Sequence, residues 1–148
     1  MATTVRQLIA GSLRRIGYLD PQEPVQAQDA RDCLGTFNAL LASLRTKRLD
    51  YAHVAVTLNS TFPLGTAPAS PAASPRQIGE ELVEGLKAIL ALRLTDDYAP
   101  EADTPRLRAD ANSGWSQLRG ALLVIPGSKF DLPRDEHLVT GPYDEEED

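Results

Sequence analysis

One cysteine, two histidines, one tryptophan and 5 % aromatic residues leave this 148-residue chain short of most groups that do chemistry. The lone thiol, Cys33, cannot form an internal disulfide framework. One Cys and two scattered His (His53 and His137) cannot complete a zinc ligand set. No apolar run approaches the ~20 residues of a membrane helix. The opening MATTVRQLIAG lacks the apolar stretch of a secretory signal, so the expected setting is a reducing cytoplasm. There is no G-x-S-x-G nucleophile elbow and no Gly-rich phosphate loop. No cofactor is expected.

A basic excess is missing too. The net charge is −6, and all of it lies in residues 134–148, RDEHLVTGPYDEEED, which hold seven acids and one base. Residues 1–133 carry 14 acids and 14 bases. A general nucleic-acid binder shows a basic patch or stripe, which this balance disfavours. An acidic segment is repelled by DNA and attracted to a basic partner.

What the chain has is helix. Hydrophobic residues make up 42 %, enough for a core, and few are aromatic, which favours helices over a sandwich. The spacing predicts a first helix over residues 4–16, with Val5, Leu8, Ile9, Leu13 and Ile16 on one face. Thr4 and Gln7 form a capping box and Gly17 closes the helix. Pro21 and Pro24 make an elbow. A second helix spans about residues 26–47 on Ala30, Leu34, Phe37, Leu40, Leu41 and Leu44, and Cys33 falls in this pattern as a small core residue. Its end is basic, with Arg45, Lys47 and Arg48. These complement the helix dipole or, less simply, contact phosphate.

The period then shifts from helical to alternating. Val54, Val56 and Leu58, a turn at Asn59-Ser60, and Thr61, Phe62 and Leu64 predict a short β-hairpin. An isolated hairpin is marginal, so it must pack on the helices or on a neighbour. Residues 65–75, GTAPASPAASP, are a low-complexity linker or contact arm. A third helix is expected from Ser74, Pro75 and Gln77 to about Ala99, the most apolar and most central of the four. A fourth is capped by Thr104 and Pro105, with Leu107, Ala111, Trp115, Leu118 and Leu122 facing inward. Gly114 and Gly120 weaken it unless a neighbouring helix packs close. Trp115 is a core residue or an interface anchor. The expected organisation is a helical domain over 1–122 with an insertion at about 51–75, followed by an extended acidic arm over 123–148.

The only carboxylate cluster that could serve catalysis is Glu80, Glu81 and Glu84. The start of a helix explains it without catalysis, because negative side chains are stabilising there. A glycosidase needs two carboxyls facing each other about 5–9.5 Å apart, which spacing along a chain does not establish.

Several strings, taken in order, carry a resemblance: LRRIGYL, then DPQEPVQAQDA, then LGTFNALLASL, then TFPLG, then LTDDYAPEADTPRLRADANSGWSQLRGA. Over roughly residues 4–122 the chain resembles the head-to-tail adaptor proteins of tailed bacteriophages. It is most similar to the tail-accessory, packaged-DNA-stabilising adaptors of short-tailed phages. It departs from their pattern at Lys47-Arg48-Leu49, where a Gly turn is expected, and residues 123–148 have no counterpart.

The resemblance implies a mainly α, four-helix bundle-like adaptor. It implies a closed ring, typically of about twelve copies, beneath the portal protein of the virion. Such a ring extends the DNA channel without sequence-specific binding, helps retain packaged DNA and docks the tail. On this view the protein is made in the host cytoplasm and is not an enzyme. Phe130, Leu132, His137, Leu138 and Tyr143 are the expected portal contacts. Asn59, Phe62, Leu64, Pro68 and Pro71 are the expected contacts with the tail or a neighbouring copy. Related readings are a stopper that plugs the channel, a peptidoglycan-cleaving enzyme on the same fold, and a host helical interaction module.

Overall fold

The computed structural model describes residues 2–65 and 77–123. Ser74, Pro75 and the expected acidic arm lie outside the described residues. Four helices are present: α1 (Val5–Arg15), α2 (Ala27–Ser43), α3 (Val83–Tyr98) and α4 (Pro105–Leu122). Three short 3-10 turns flank them, at Arg45–Lys47, Glu80–Leu82 and Pro100–Ala102. Among the described residues there is no strand or sheet, only three isolated antiparallel bridges: Thr4 with Thr61, Leu49 with Leu123, and Leu64 with Ile78.

The capping box of α1 forms as expected. Gln7 N–H donates to Thr4 Oγ1 (3.2 Å) and Thr4 N–H donates to Gln7 Oε1 (2.9 Å). Gly17 takes a left-handed φ of 79° and ends the helix. The elbow then buries Leu19 and Val25. Tyr18 stacks edge-on against Tyr98 of α3, with ring centroids 4.8 Å apart, and its hydroxyl donates to Asp29 (3.0 Å).

Helix α2 ends earlier than its apolar stripe suggests. It breaks at Ser43, tightens into the 3-10 turn, and closes on Arg48 at φ 61°. Arg48 thus adopts the left-handed conformation usually given to glycine. Arg48 carries the steric penalty of that conformation.

Helix α3 touches each of the other three helices and is buried nearly all round, from Val83 through Leu86 and Ile89–Ala91 to Leu94. Its start differs from expectation. Gln77 does not cap it; the Gln77 amide donates to Gly65 O (2.9 Å), and Ile78 pairs with Leu64 through two 2.9 Å backbone bonds. That extended pairing holds residues 77–79 out of the helix, so Glu80 and Glu81 lie in a 3-10 turn and Glu84 alone lies in the first turn of α3. Helix α4 starts as expected, with Leu107 N–H on Thr104 Oγ1 (3.2 Å) and Pro105 at its first position.

The α3–α4 seam is set by two glycines. A Cβ on Gly114 would lie 2.5 Å from Gly85 O and 2.9 Å from Gly85 Cα, so the backbones meet directly. A Cβ on Gly120 would meet nothing within 4 Å. Only the first of the two glycines is therefore explained by close packing. Cys33 is fully buried, as expected of a small core residue. Burial pushes its thiol pKa up, which keeps it protonated and weakly nucleophilic.

Candidate functional site

The segment from Tyr51 to Gly65 departs furthest from simple helical packing, and it is not a hairpin. Its turn is real: Ser60 N–H donates to Thr57 O (3.1 Å), and Thr57 N–H donates to Ser60 Oγ (3.0 Å). The two flanks do not pair with each other, because each finds a better partner elsewhere. On the first flank, the Asn38 side-chain amide of α2 accepts from Val56 N–H (3.0 Å) and donates to Val56 O (3.2 Å). The second flank runs against residues 3–6. Val5 N–H donates to Ser60 O (2.9 Å), Arg6 N–H donates to Leu58 O (3.1 Å), and Phe62 N–H donates to Thr3 O (2.9 Å).

The first turn of a helix has four N–H groups without an intrahelical acceptor. In α1 the loop carbonyls take those of Val5 and Arg6. The Thr4 side chain takes that of Gln7, and the Gln7 side chain takes that of Thr4. The loop therefore caps α1 and is an integral part of the fold. We expect Asn38→Ala to cost about 1–3 kcal/mol, because two backbone groups lose their partner. Urea unfolding measures the cost, and faster amide exchange at Val56 locates it.

Of the expected contact residues, Asn59 is exposed at the turn, whereas Phe62 and Leu64 are 2 % and 3 % exposed and belong to the core of the chain itself. Pro68 and Pro71 lie outside the described residues, as do Phe130, Leu132, His137, Leu138 and Tyr143. Beside the turn is an open depression of about 350 Å³, lined by Val54, Val56, Ser60, Thr61, Pro63 and Gly65 among others. Val54 is 58 % exposed, the most exposed large apolar side chain described. On the same segment, the buried Tyr51 hydroxyl and His53 Nδ1 have no hydrogen-bond partner among the described residues. Burial raises the Tyr51 pKa, so its hydroxyl stays a neutral donor.

The carboxylates near α3 are engaged structurally. Glu80 accepts the backbone N–H of Thr3, which lowers its pKa. Glu84 accepts from Lys87 Nζ (2.8 Å) and lies 3.8 Å from Arg15, which also reaches Asp110 of α4 at 3.6 Å. The Lys87 hydrogen bond and the nearby positive charge hold Glu84 below its ordinary pKa of 4.5. A depressed carboxyl pKa contributes stability above the unfolded value, and that contribution disappears as pH falls through the folded one. Stability should therefore decline as pH drops below about 4.5, and Glu84→Gln should flatten the decline slightly, since an exposed pair is worth under ~1 kcal/mol. Urea midpoints measured across the acid range test this.

Sequence reasoning missed Asn38, whose polar side chain on an otherwise ordinary helix gave no local signal. It also missed the pairing of Lys47 with Trp115, whose ring centroid lies 4.3 Å from the ammonium. Trp115 is half-buried. Among the described residues no group of three or more His, Cys, Asp or Glu side chains could hold a metal ion, and no helix is long and apolar enough to cross a membrane. The chain matches no protein-family model and no curated protein.

Proposed function

We propose that the chain is a structural head-to-tail connector of a tailed phage, a subunit of a ring seated under the portal that extends the DNA channel and docks the tail. The observation that carries this reading is where the strings of the resemblance fall. LRRIGYL ends α1, the Pro elbow leads into α2, TFPLG is the stretch that locks the loop to the rest of the fold, and the APE break is the 3-10 turn between α3 and α4. Four of the five strings fall where the chain changes direction, and the fifth, LGTFNALLASL, lies along α2. The helices pack around α3 and carry an anchored loop, and in the proposed ring this unit would repeat through a heterologous interface whose rotation closes.

Two further features support the reading. The loop is fixed at its base by Asn38 and α1, while Val54, Thr57, Asn59 and Thr61 remain exposed for a neighbouring copy or a tail component. The carboxylates Glu80 and Glu84 are pulled toward the ionised form, opposite to what a general acid requires.

Light scattering and negative-stain imaging with and without the cognate portal protein test the proposal. A ring that forms on the portal is the expected result. No association at any salt concentration overturns the reading and shifts weight to the enzyme or host-module alternatives. The combined Glu80, Glu81 and Glu84 to Gln variant separates the connector from the enzyme, because a connector still assembles without these carboxylates.

A further inference from the structure

The ends of α2 and α4 meet at one corner of the molecule. Asp50 N–H donates to Leu122 O (2.6 Å), and Leu49 bridges to Leu123. The 3-10 turn after α2 brings Arg45, Lys47 and Arg48 to this corner. Helix α4 adds Trp115 and, one turn further along the same face, Arg119. All four cations are exposed, and none forms an ion pair with another described residue. Arg15, Lys87 and Arg108 have carboxylate partners, whereas Arg6, Arg14, Arg31, Arg93 and Arg106 form no ion pair with another described residue either. The only acid in the sequence between Arg45 and Tyr51 is Asp50, which is half-buried. The corner is thus a basic patch on a body whose charges balance only when the patch is counted.

We propose that the acidic segment 134–148 docks on this corner of its own chain, its carboxylates against Arg45, Lys47, Arg48 and Arg119 beside Trp115. Three observations select this occupant. The described body ends at Leu123, inside the corner, and the segment begins eleven residues later. A linker of that length spans up to about 35 Å, and a short tether holds its end at millimolar effective concentration. The segment carries seven acids and one base, the complement the patch lacks. Nucleic-acid phosphate has the same charge, but it would have to displace a polyanion that is already tethered. The proposal stands apart from the connector reading and needs no portal.

Trp115 is the only tryptophan, so its fluorescence reports on the corner. Acrylamide quenching of the full chain at low salt is compared with that of a full chain carrying Asp144→Asn, Glu145→Gln, Glu146→Gln, Glu147→Gln and Asp148→Asn. Quenching should be stronger in the neutralised chain. It should also rise in the wild type at roughly 1 M salt, where the screening length is about 3 Å. Arg45→Gln with Arg119→Gln should abolish the salt response, and the mass by light scattering should not change. Equal quenching of the two chains overturns the proposal. So does an effect that grows with protein concentration as the mass doubles, which places the segment on a second copy. Equal binding of a duplex oligonucleotide by both chains overturns it too, because the corner would then be open to phosphate.

Discussion

Phe62→Ala is expected to lower the stability of the isolated chain by about 3 kcal/mol, and Asn59→Ala to change it by less than about 0.5 kcal/mol. The two residues lie three apart in the same loop, and the sequence offers both as contacts for a neighbour. The structure separates them. Phe62 is 2 % exposed and sits in the same core cluster as Val5, Leu8 and Ile78. Removing its ring leaves a cavity beneath the carbonyls that cap α1, so the loss extends to the helix start. Asn59 occupies the exposed turn. Chemical denaturation of the monomer measures both changes. If ring or tail contact uses this loop, Asn59→Ala weakens assembly while the monomer stays stable. Equal stability of the two variants would show that Phe62 points outward in solution.

Gly114→Ala and Gly120→Ala, one turn and a half apart on α4, are expected to move stability in opposite directions. In an open helix, Gly→Ala gains about 1 kcal/mol. Gly120 has no atom within 4 Å of the added methyl and should realise most of that gain. At Gly114 the methyl falls 2.5 Å from Gly85 O and 2.9 Å from Gly85 Cα. These are backbone atoms of a buried helix and cannot rotate away, so α3 and α4 must separate. Overpacking of this kind costs about 1–3 kcal/mol, which outweighs the propensity gain. Gly85→Ala should be milder, because part of its clash is with the flexible Gln117 side chain, although Gly114 Cα is also 2.9 Å away. Thermal melts should rank the variants Gly120→Ala, wild type, Gly85→Ala, Gly114→Ala from most to least stable.

The helices were legible because their signals are local. Apolar spacing marked α1, α2 and α4, the capping box at Thr4-Gln7 and the Thr104-Pro105 start were read directly, and Gly17 sits at the left-handed closure its type suggests. The unbroken apolar run of α3 indicated a central helix, and α3 does touch the other three. The hairpin failed for a non-local reason. Alternation in residues 54–64 reported partial burial at Val56 and Leu58 and full burial at Phe62 and Leu64, but not the exposure of Val54 on the same expected face. It could not report which backbone would pair with which. The first turn of α1 and the Asn38 amide are far away in sequence, and they satisfy those groups in place of a facing strand.

The start of α3 was misplaced by the same kind of competition, with Leu64 pairing Ile78 where a helix capped at Ser74 was expected already to run. Sequence by itself determined the helical class, the helix boundaries at Thr4, Gly17 and Thr104-Pro105, and the separation of a balanced body from an acidic segment. Each of these depends on residues within a few positions of one another. Only tertiary structure decided that Gly114 is needed and Gly120 is not, that Phe62 is a core residue, and that Lys47 meets Trp115. Those outcomes depend on which distant backbone or ring arrives at a given side chain, and contacts of that kind leave no periodic trace in a single sequence.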